Sequence, residues 1–148
     1  MNLSKKSRYG IRALIDMTVN FKEDLVALSS IAEKNDISIQ YLEQIFAGLR
    51  RAGIIRGVKG SKGGYVLDRN PADITLSQII EALDGDYRIE SEEFLPNLSY
   101  AGILKVIQRE VIDKMNKSME NLLENITLKQ LAEEYKKDSL YGVDMYYI

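Results

Sequence analysis

The sequence predicts a mainly α-helical fold with one small β-hairpin: a helix-turn-helix that carries the hairpin as a wing, followed by a long helix of the pairing kind. Three observations predict it. Two short capped helices follow each other across the polar turn NDIS, a glycine-rich bend separates two β-prone runs between residues 54 and 67, and a narrow apolar seam recurs after residue 99.

Tyr9, Ala13, Leu14, Met17 and Phe21 are spaced by threes and fours, so residues 5–20 form a first helix with one face on a core. After the connector FKEDLVAL, Ser30 with Glu33 three residues on is a capping-box pattern; it predicts a short helix opening there, with Ile31 and Ala32 inward. Ser38 offers the N-cap of a third helix, SIQYLEQIFAGLRRAG, whose Leu42, Ile45 and Leu49 share a face and whose Gly53 suits a left-handed C-cap. Its opposite face carries Gln40, Glu43, Gln44, Arg50 and Arg51. Any two short helices give this outline, so a helix-turn-helix needs support from the chain downstream of Gly53.

Ile54, Ile55 and Val58 precede the glycine-rich bend GVKGSKGG, and Tyr65, Val66 and Leu67 come after it, which reads as strand, turn, strand. Thr75 with Gln78 is a second capping box, opening a helix through Ile79, Ile80 and Leu83 to Gly85. Residues 86–98, DYRIESEEFLPNL, are acidic, contain Pro96 and read as a linker loop. From Ser99, one long helix carries Leu104, Ile107, Val111, Met115, Met119, Leu122 and Ile126 as a seam that needs a partner helix. Thr127 with Gln130 caps a last short helix through Leu128, Leu131 and Tyr135, leaving the tail KKDSLYGVDMYYI with Gly142 as a swivel. The expected organisation is a winged helix-turn-helix unit at 1–85, a linker at 86–98, and a long pairing helix, short final helix and apolar tail at 99–148.

The bulk numbers narrow the function. With 148 residues, 45% of them hydrophobic, the chain folds as one or two small domains. It has no cysteine and no histidine, which removes disulfides, thiolate and imidazole metal ligands, and the commonest nucleophiles and bases. No apolar run approaches the roughly eighteen residues that span a bilayer, and the N-terminus has no signal core, so a cytoplasmic protein is expected. The N-x-S/T triplets at Asn2, Asn97, Asn116 and Asn125 are then chance matches to the glycosylation pattern. The net charge of −2 hides an asymmetry: residues 1–70 hold 12 Lys and Arg against 7 Asp and Glu, and the acidic excess lies in the remainder. A basic front half points to a polyanionic partner.

The stretch GVKGSKGGYVL therefore has two readings. A phosphate loop needs G-x-x-x-x-G-K-[ST] opening a helix, but the residue five positions after Gly57 is Lys62, and the β-prone YVL comes next. A hairpin behind a helix-turn-helix is instead a wing, whose tip lysines, Lys59 and Lys62, suit a DNA backbone or minor groove. A solvated turn remains the bland alternative. No arrangement of nucleophile, base and orienting group is visible, so no enzymatic activity is expected.

The segments SKKSRYGIRAL, ISIQYLEQIFAGLRRAGII and VKGSKGGYVL together resemble the Rrf2 family of bacterial winged-helix repressors, over roughly residues 3 to 137. The resemblance implies a homodimer paired through the long helix, each winged helix reading half of an inverted repeat in double-stranded DNA. It implies that Ser38, Gln40, Tyr41, Glu43 and Gln44 enter the major groove, where glutamine suits adenine and glutamate suits the cytosine amino group. Ser4, Lys6, Arg8 and Tyr9 of the first helix, with Arg50 and Arg51, would hold phosphates, and Lys59, Ser61 and Lys62 would be wing contacts. Some of these have rival readings: Tyr41 packed against the first helix, Glu43 as a surface ion-pair partner, and Arg50 and Arg51 meeting the helix dipole without any DNA.

In the cluster-sensing branch of that family, three cysteines in and after the region matching residues 86–105 bind an iron-sulfur cluster. Here that region holds none, so no cofactor is expected; Glu90, Glu92 and Glu93 read as a solvated loop rather than a metal site. The segment ITLKQLAEEY and the ending YYI resemble the subgroup that represses cysteine and sulfur metabolism genes in complex with cysteine synthase. That subgroup implies that Tyr146, Tyr147 and Ile148 dock on the enzyme; packing of this apolar tail on the protein itself is the alternative. A protein acting mainly through protein partners is the rival to the DNA-binding function.

Overall fold

The computed structural model describes residues 2–21, 25–61 and 63–146, with side chains described for all of these but Phe21 and residues 141–146. Lys62, Tyr147 and Ile148 lie outside the described residues, as does the side chain of Tyr146.

The first helix, α1 (Lys5–Asp16), starts where Ser4 accepts the Ser7 N–H at 3.0 Å and runs into a wider π turn at Met17–Phe21. Helix α2 (Leu28–Asn35) and helix α3 (Ile39–Arg51) are separated by Asp36 in the left-handed region and by Ser38, whose hydroxyl caps α3 by accepting the Tyr41 N–H. Gly53, at φ 74°, turns the chain out of α3 into the hairpin β1 (Ile55–Val58) and β2 (Gly64–Leu67), which pair antiparallel with Ile55 opposite Leu67. Leu14, Ile31, Leu42, Ile45, Phe46 and Leu49 are fully or almost fully buried together with Ile54 and Ile55, so one core joins the three helices to the base of the wing.

Two differences from the sequence reading have identifiable causes. Helix α2 begins two residues before Ser30, with Ala27 at the N-cap position and no side-chain cap. Leu28 packs partly buried against the core, and its docking outweighs the capping preference of Ser30. The connector before α2 also contributes to the sheet: Val26 and Tyr65 exchange two backbone hydrogen bonds of 2.9 Å. Gly64 lies against this bridge, where a Cβ would come within 2.6 Å of the Val26 carbonyl oxygen. That glycine allows close backbone approach at the wing's root.

Helix α4 (Leu76–Asp84) opens on the full Thr75–Gln78 capping box. A loop at 85–100 leads to a continuous helical rod made of α5 (Ala101–Ile107), a π turn at Gln108–Ile112, and α6 (Asp113–Asn125). The reciprocal bonds of Thr127 and Gln130 then open α7. That last helix runs Leu128–Tyr146, so the expected short helix and tail are a single 19-residue helix over their described part. Most of its residues are good helix formers, and an isolated Gly142 costs only about 1 kcal/mol.

The N-termini of α4 and α7 lie side by side. Thr75 and Thr127 form an antiparallel bridge, with Leu76 N–H donating to the Ile126 carbonyl and Leu128 N–H to the Ile74 carbonyl, each at 2.8 Å. Leu128 is fully buried in the winged-helix core and Ala132 nearly so, which places α7 against α1. A smaller cluster of Ile80, Tyr87 and Leu123, with Leu3, Leu76 and Met119 around it, seats α6 on α4.

Candidate nucleic-acid interface

Burying Leu42, Ile45, Phe46 and Leu49 of α3 forces its other side outward, and Ser38, Gln40, Glu43, Gln44, Arg50 and Arg51 are all exposed. Glu43, Arg50 and Arg51 form no ion pair among the described residues. Among the described residues Glu43 thus lacks the ion-pair partner of the rival reading, and it is exposed. Ile39, which the sequence reading passes over, is 46% exposed on the first turn of α3. Its apolar side chain suggests a core position; only its direction from the helix shows otherwise.

The N-terminal turn of α1 meets the start of α3. Tyr9 and Tyr41 pack edge to face, with ring centroids 5.8 Å apart, so Tyr41 does pack against the first helix. Around them, Lys5 and Arg12 lie over the Tyr9 ring at 6.0 and 5.0 Å, and the Arg12 guanidinium donates to the Asn35 carbonyl at the end of α2. Lys5 and Arg12 also escape the sequence reading, because a search for apolar periodicity does not register cations one turn from an aromatic ring. Lys5, Tyr9, Asp36, Ile37, Ser38 and Tyr41 together line a shallow cleft.

Ser4 has a different position from the one expected of a phosphate contact. Its hydroxyl donates to Asp84 while accepting from the Ser7 N–H, and the Ser7 hydroxyl donates to Asp84 at 2.6 Å. Partial burial works to raise the Asp84 pKa, but these hydrogen bonds and the Lys6 charge hold it below the ordinary aspartate value. Ser4 is thereby tied to α4 as the cap of α1, and the exposed basic groups on that turn are Lys5 and Arg8 with half-exposed Lys6 beside them. At the wing tip, Lys59, Gly60 and Ser61 are exposed. The arrangement offers exposed hydrogen-bonding side chains on α3, with exposed cations at its C-terminal end, on the first turns of α1 and at the wing tip, which suits base edges and phosphates.

The long rod meets the seam expectation in part. Ile107, Val111, Met115 and Leu122 are exposed, whereas Leu104 and Met119 are half-buried, Met119 against the α4–α6 cluster. Ile103 and Val106 join the exposed face instead, Ile103 at 64% exposure. Side chains four apart walk about 40° around an ordinary helix at each step. The wide π turn at Gln108–Ile112 falls within this stretch, and its larger number of residues per turn slows that walk.

Residues 86–100 carry no soft ligand. Arg88 is held by Asp86, Glu81 and Glu120, and Asn116 exchanges hydrogen bonds with the Ile89 backbone. Among the described residues no group of three or more acidic side chains is placed to hold a metal ion. No helix of the described residues is long and apolar enough to cross a membrane.

Comparison with known proteins agrees with this geometry. The Rrf2 family profile, described as iron-dependent transcriptional regulators, matches residues 3–134. The chain is 35% identical over 132 residues to the HTH-type transcriptional regulator CymR of Bacillus subtilis, covering 89% of this chain and 90% of that one. It is 31% identical over 132 residues to IscR of Pectobacterium atrosepticum, covering 89% and 79%. Among solved structures, CymR, the global cysteine regulator of B. subtilis, superposes with a TM-score of 0.74 at 33% identity, covering 90% of this chain and 98% of that one. IscR of T. potens gives 0.74 at 34% identity, covering 99% and 97%. Iron-sulfur clusters take thiolate and imidazole ligands, and the sequence contains no cysteine and no histidine. On the match of its sequence from residue 3 to 134, and of its winged-helix fold, this chain belongs to the Rrf2 family of transcriptional regulators.

Proposed function

We propose that this regulator is a cytoplasmic homodimeric repressor that reads a pseudopalindromic operator and works without an iron-sulfur cluster. The exposed face of α3 between the wing tip and the N-terminal turn of α1 carries this reading. Gln40, Glu43 and Gln44 with Ser38 read base edges, Tyr41 and Tyr9 brace the helix start, and Arg8, Lys6, Arg50, Arg51, Lys59, Ser61 and Lys62 hold phosphates. Ile39 adds an apolar contact suited to a thymine methyl group. Residues 1–85 form the reading unit, and the exposed face along Ile103, Ile107, Val111, Met115 and Leu122 is the pairing surface. Two reading helices related by a two-fold axis require half-sites about one helical turn apart, or a multiple of it.

Selection of bound fragments from a genomic DNA pool tests this directly. The expected result is a recurring inverted repeat, retained at moderate salt. Failure to retain any fragment would favour a protein acting through protein partners alone.

The finer assignment is to cysteine and sulfur metabolism genes, with cysteine synthase as partner through Tyr146, Tyr147 and Ile148. The name of the B. subtilis relative, a global cysteine regulator, supports the gene class. Calorimetry with cysteine synthase checks the partner: Ile148→Asp should abolish binding while DNA retention persists, and unchanged affinity would return the tail to a packing role.

A further inference from the structure

A cleft of about 640 Å³ opens beside the root of the wing, lined among others by Thr18, Arg56, Val66, Arg69, Asn70 and Lys136. None of these belongs to the face built from α3, the wing tip and the start of α1. Arg56 and Val66 are register partners on the hairpin, on the side opposite Tyr65, which stacks edge-on against Phe46 of α3. The cleft therefore lies behind the wing, between the hairpin, the end of α1 and α7.

Among the described residues, three cationic side chains line this volume and no acidic one does. Arg56 is answered by Asp68 at 3.4 Å, both groups being well exposed. Arg69 is not answered by a carboxylate among the described residues: one terminal nitrogen donates to Gln78 at 3.4 Å, while its buried Nε has no hydrogen-bond partner among them. Lys136 forms no ion pair among the described residues. A buried guanidinium N–H without an acceptor is costly, and neighbouring cations around one cavity repel; an anion in the cleft would relieve both. Val66 and Pro71 add an apolar wall, and the volume falls in the range of small-molecule sites. The adjoining smaller cleft adds Lys129 and Glu133, whose charges offset each other.

We propose that this cleft is a binding site for a small organic anion, a carboxylate or a phosphate monoester. Arg69 and Lys136 take the charged group, Thr18 and Asn70 supply hydrogen bonds, and Val66 and Pro71 receive the apolar body. The site is independent of the DNA-reading face, so its failure would leave the function proposed above intact.

Thermal unfolding and calorimetry of the full chain, with inorganic phosphate, citrate or adenosine monophosphate at fixed ionic strength and chloride as control, test the proposal. At least one probe should raise the melting temperature saturably, and the preference between citrate and the phosphates identifies the charged group. Lys136→Gln, on an exposed helix face, should weaken that binding about tenfold, as should Arg69→Gln, by loss of a charge-assisted hydrogen bond. Should Arg69→Gln fail to fold, Lys136→Gln decides alone. No saturable shift with any probe overturns the site, as does affinity unchanged by Lys136→Gln. Weakened DNA retention in these variants without any anion binding would assign the cations to the DNA backbone and likewise overturn it.

Discussion

Gln44 and Lys59 are both exposed polar residues, yet they should fail differently when removed. Lys59 at the wing tip offers charge and no directional pattern, so Lys59→Ala or Arg51→Ala should weaken binding to all sequences and lower the salt slope by about one. Gln44→Ala should relax preference at one base pair, worth about 1–3 kcal/mol of discrimination, in filter binding against a set of single-base operator variants. Asp16 is a different kind of polar residue. It is only 7% exposed, and burial works to raise its pKa, but Lys34, Asn20 and Asn35 bind the carboxylate and win, holding the pKa below the ordinary value. A depressed folded pKa means that this stabilisation is complete above the unfolded aspartate pKa of about 4 and is lost as pH falls through the folded value. Asp16→Asn should therefore destabilise by about 1–3 kcal/mol at neutral pH and flatten the acid limb of stability measured by urea unfolding.

At the scale of elements, the two capped helix starts at Thr75 and Thr127 show how local signals become long-range structure. Each cap is legible as a threonine followed three residues later by glutamine, and both form. Their pairing across the Thr75–Thr127 bridge is not legible, because a cap reports only the chain within one turn of itself. Leu128 follows that bridge into the core at 0% exposure. Leu128→Ala should cost about 2–5 kcal/mol in chemical denaturation, comparable to a core residue of α3, although Leu128 lies far beyond the winged helix in the chain. The helix starting at Leu28 rather than Ser30 gives the converse lesson: one docked leucine outweighs a good capping pattern.

For the whole molecule, the apolar face along the rod is the surface proposed above to pair with a second copy. Ile103, Val106, Ile107, Val111, Met115 and Leu122 are each between 40% and 64% exposed on one chain, a contiguous exposed surface of the sort that marks an interface. Ile107→Glu with Val111→Glu should yield a monomer by light scattering. Such a monomer should lose operator affinity steeply while keeping its helical spectrum, since neither residue contributes to the buried core.

The sequence by itself determined every element whose cause is local: the stripe of α1, the caps at Ser38, Thr75 and Thr127, the left-handed exit at Gly53, the hairpin around its glycines, and the outward polar face of α3. It also excluded thiolate and imidazole chemistry, because composition needs no coordinates. Tertiary structure alone decided where those elements meet: Val26 joining the hairpin, Ser4 held by Asp84, Tyr41 against Tyr9, Leu128 in the core, and the cations behind the wing. Periodicity and capping act over a few residues, whereas these contacts link distant positions, 80 residues apart for Ser4 and Asp84, and depend on how buried faces fit together. The rod shows the boundary most directly. Its seam is readable as spacing, but only the folded chain shows Ile103 and Val106 exposed, Leu104 half-buried, and Met119 drawn in by the docking of α6 on α4.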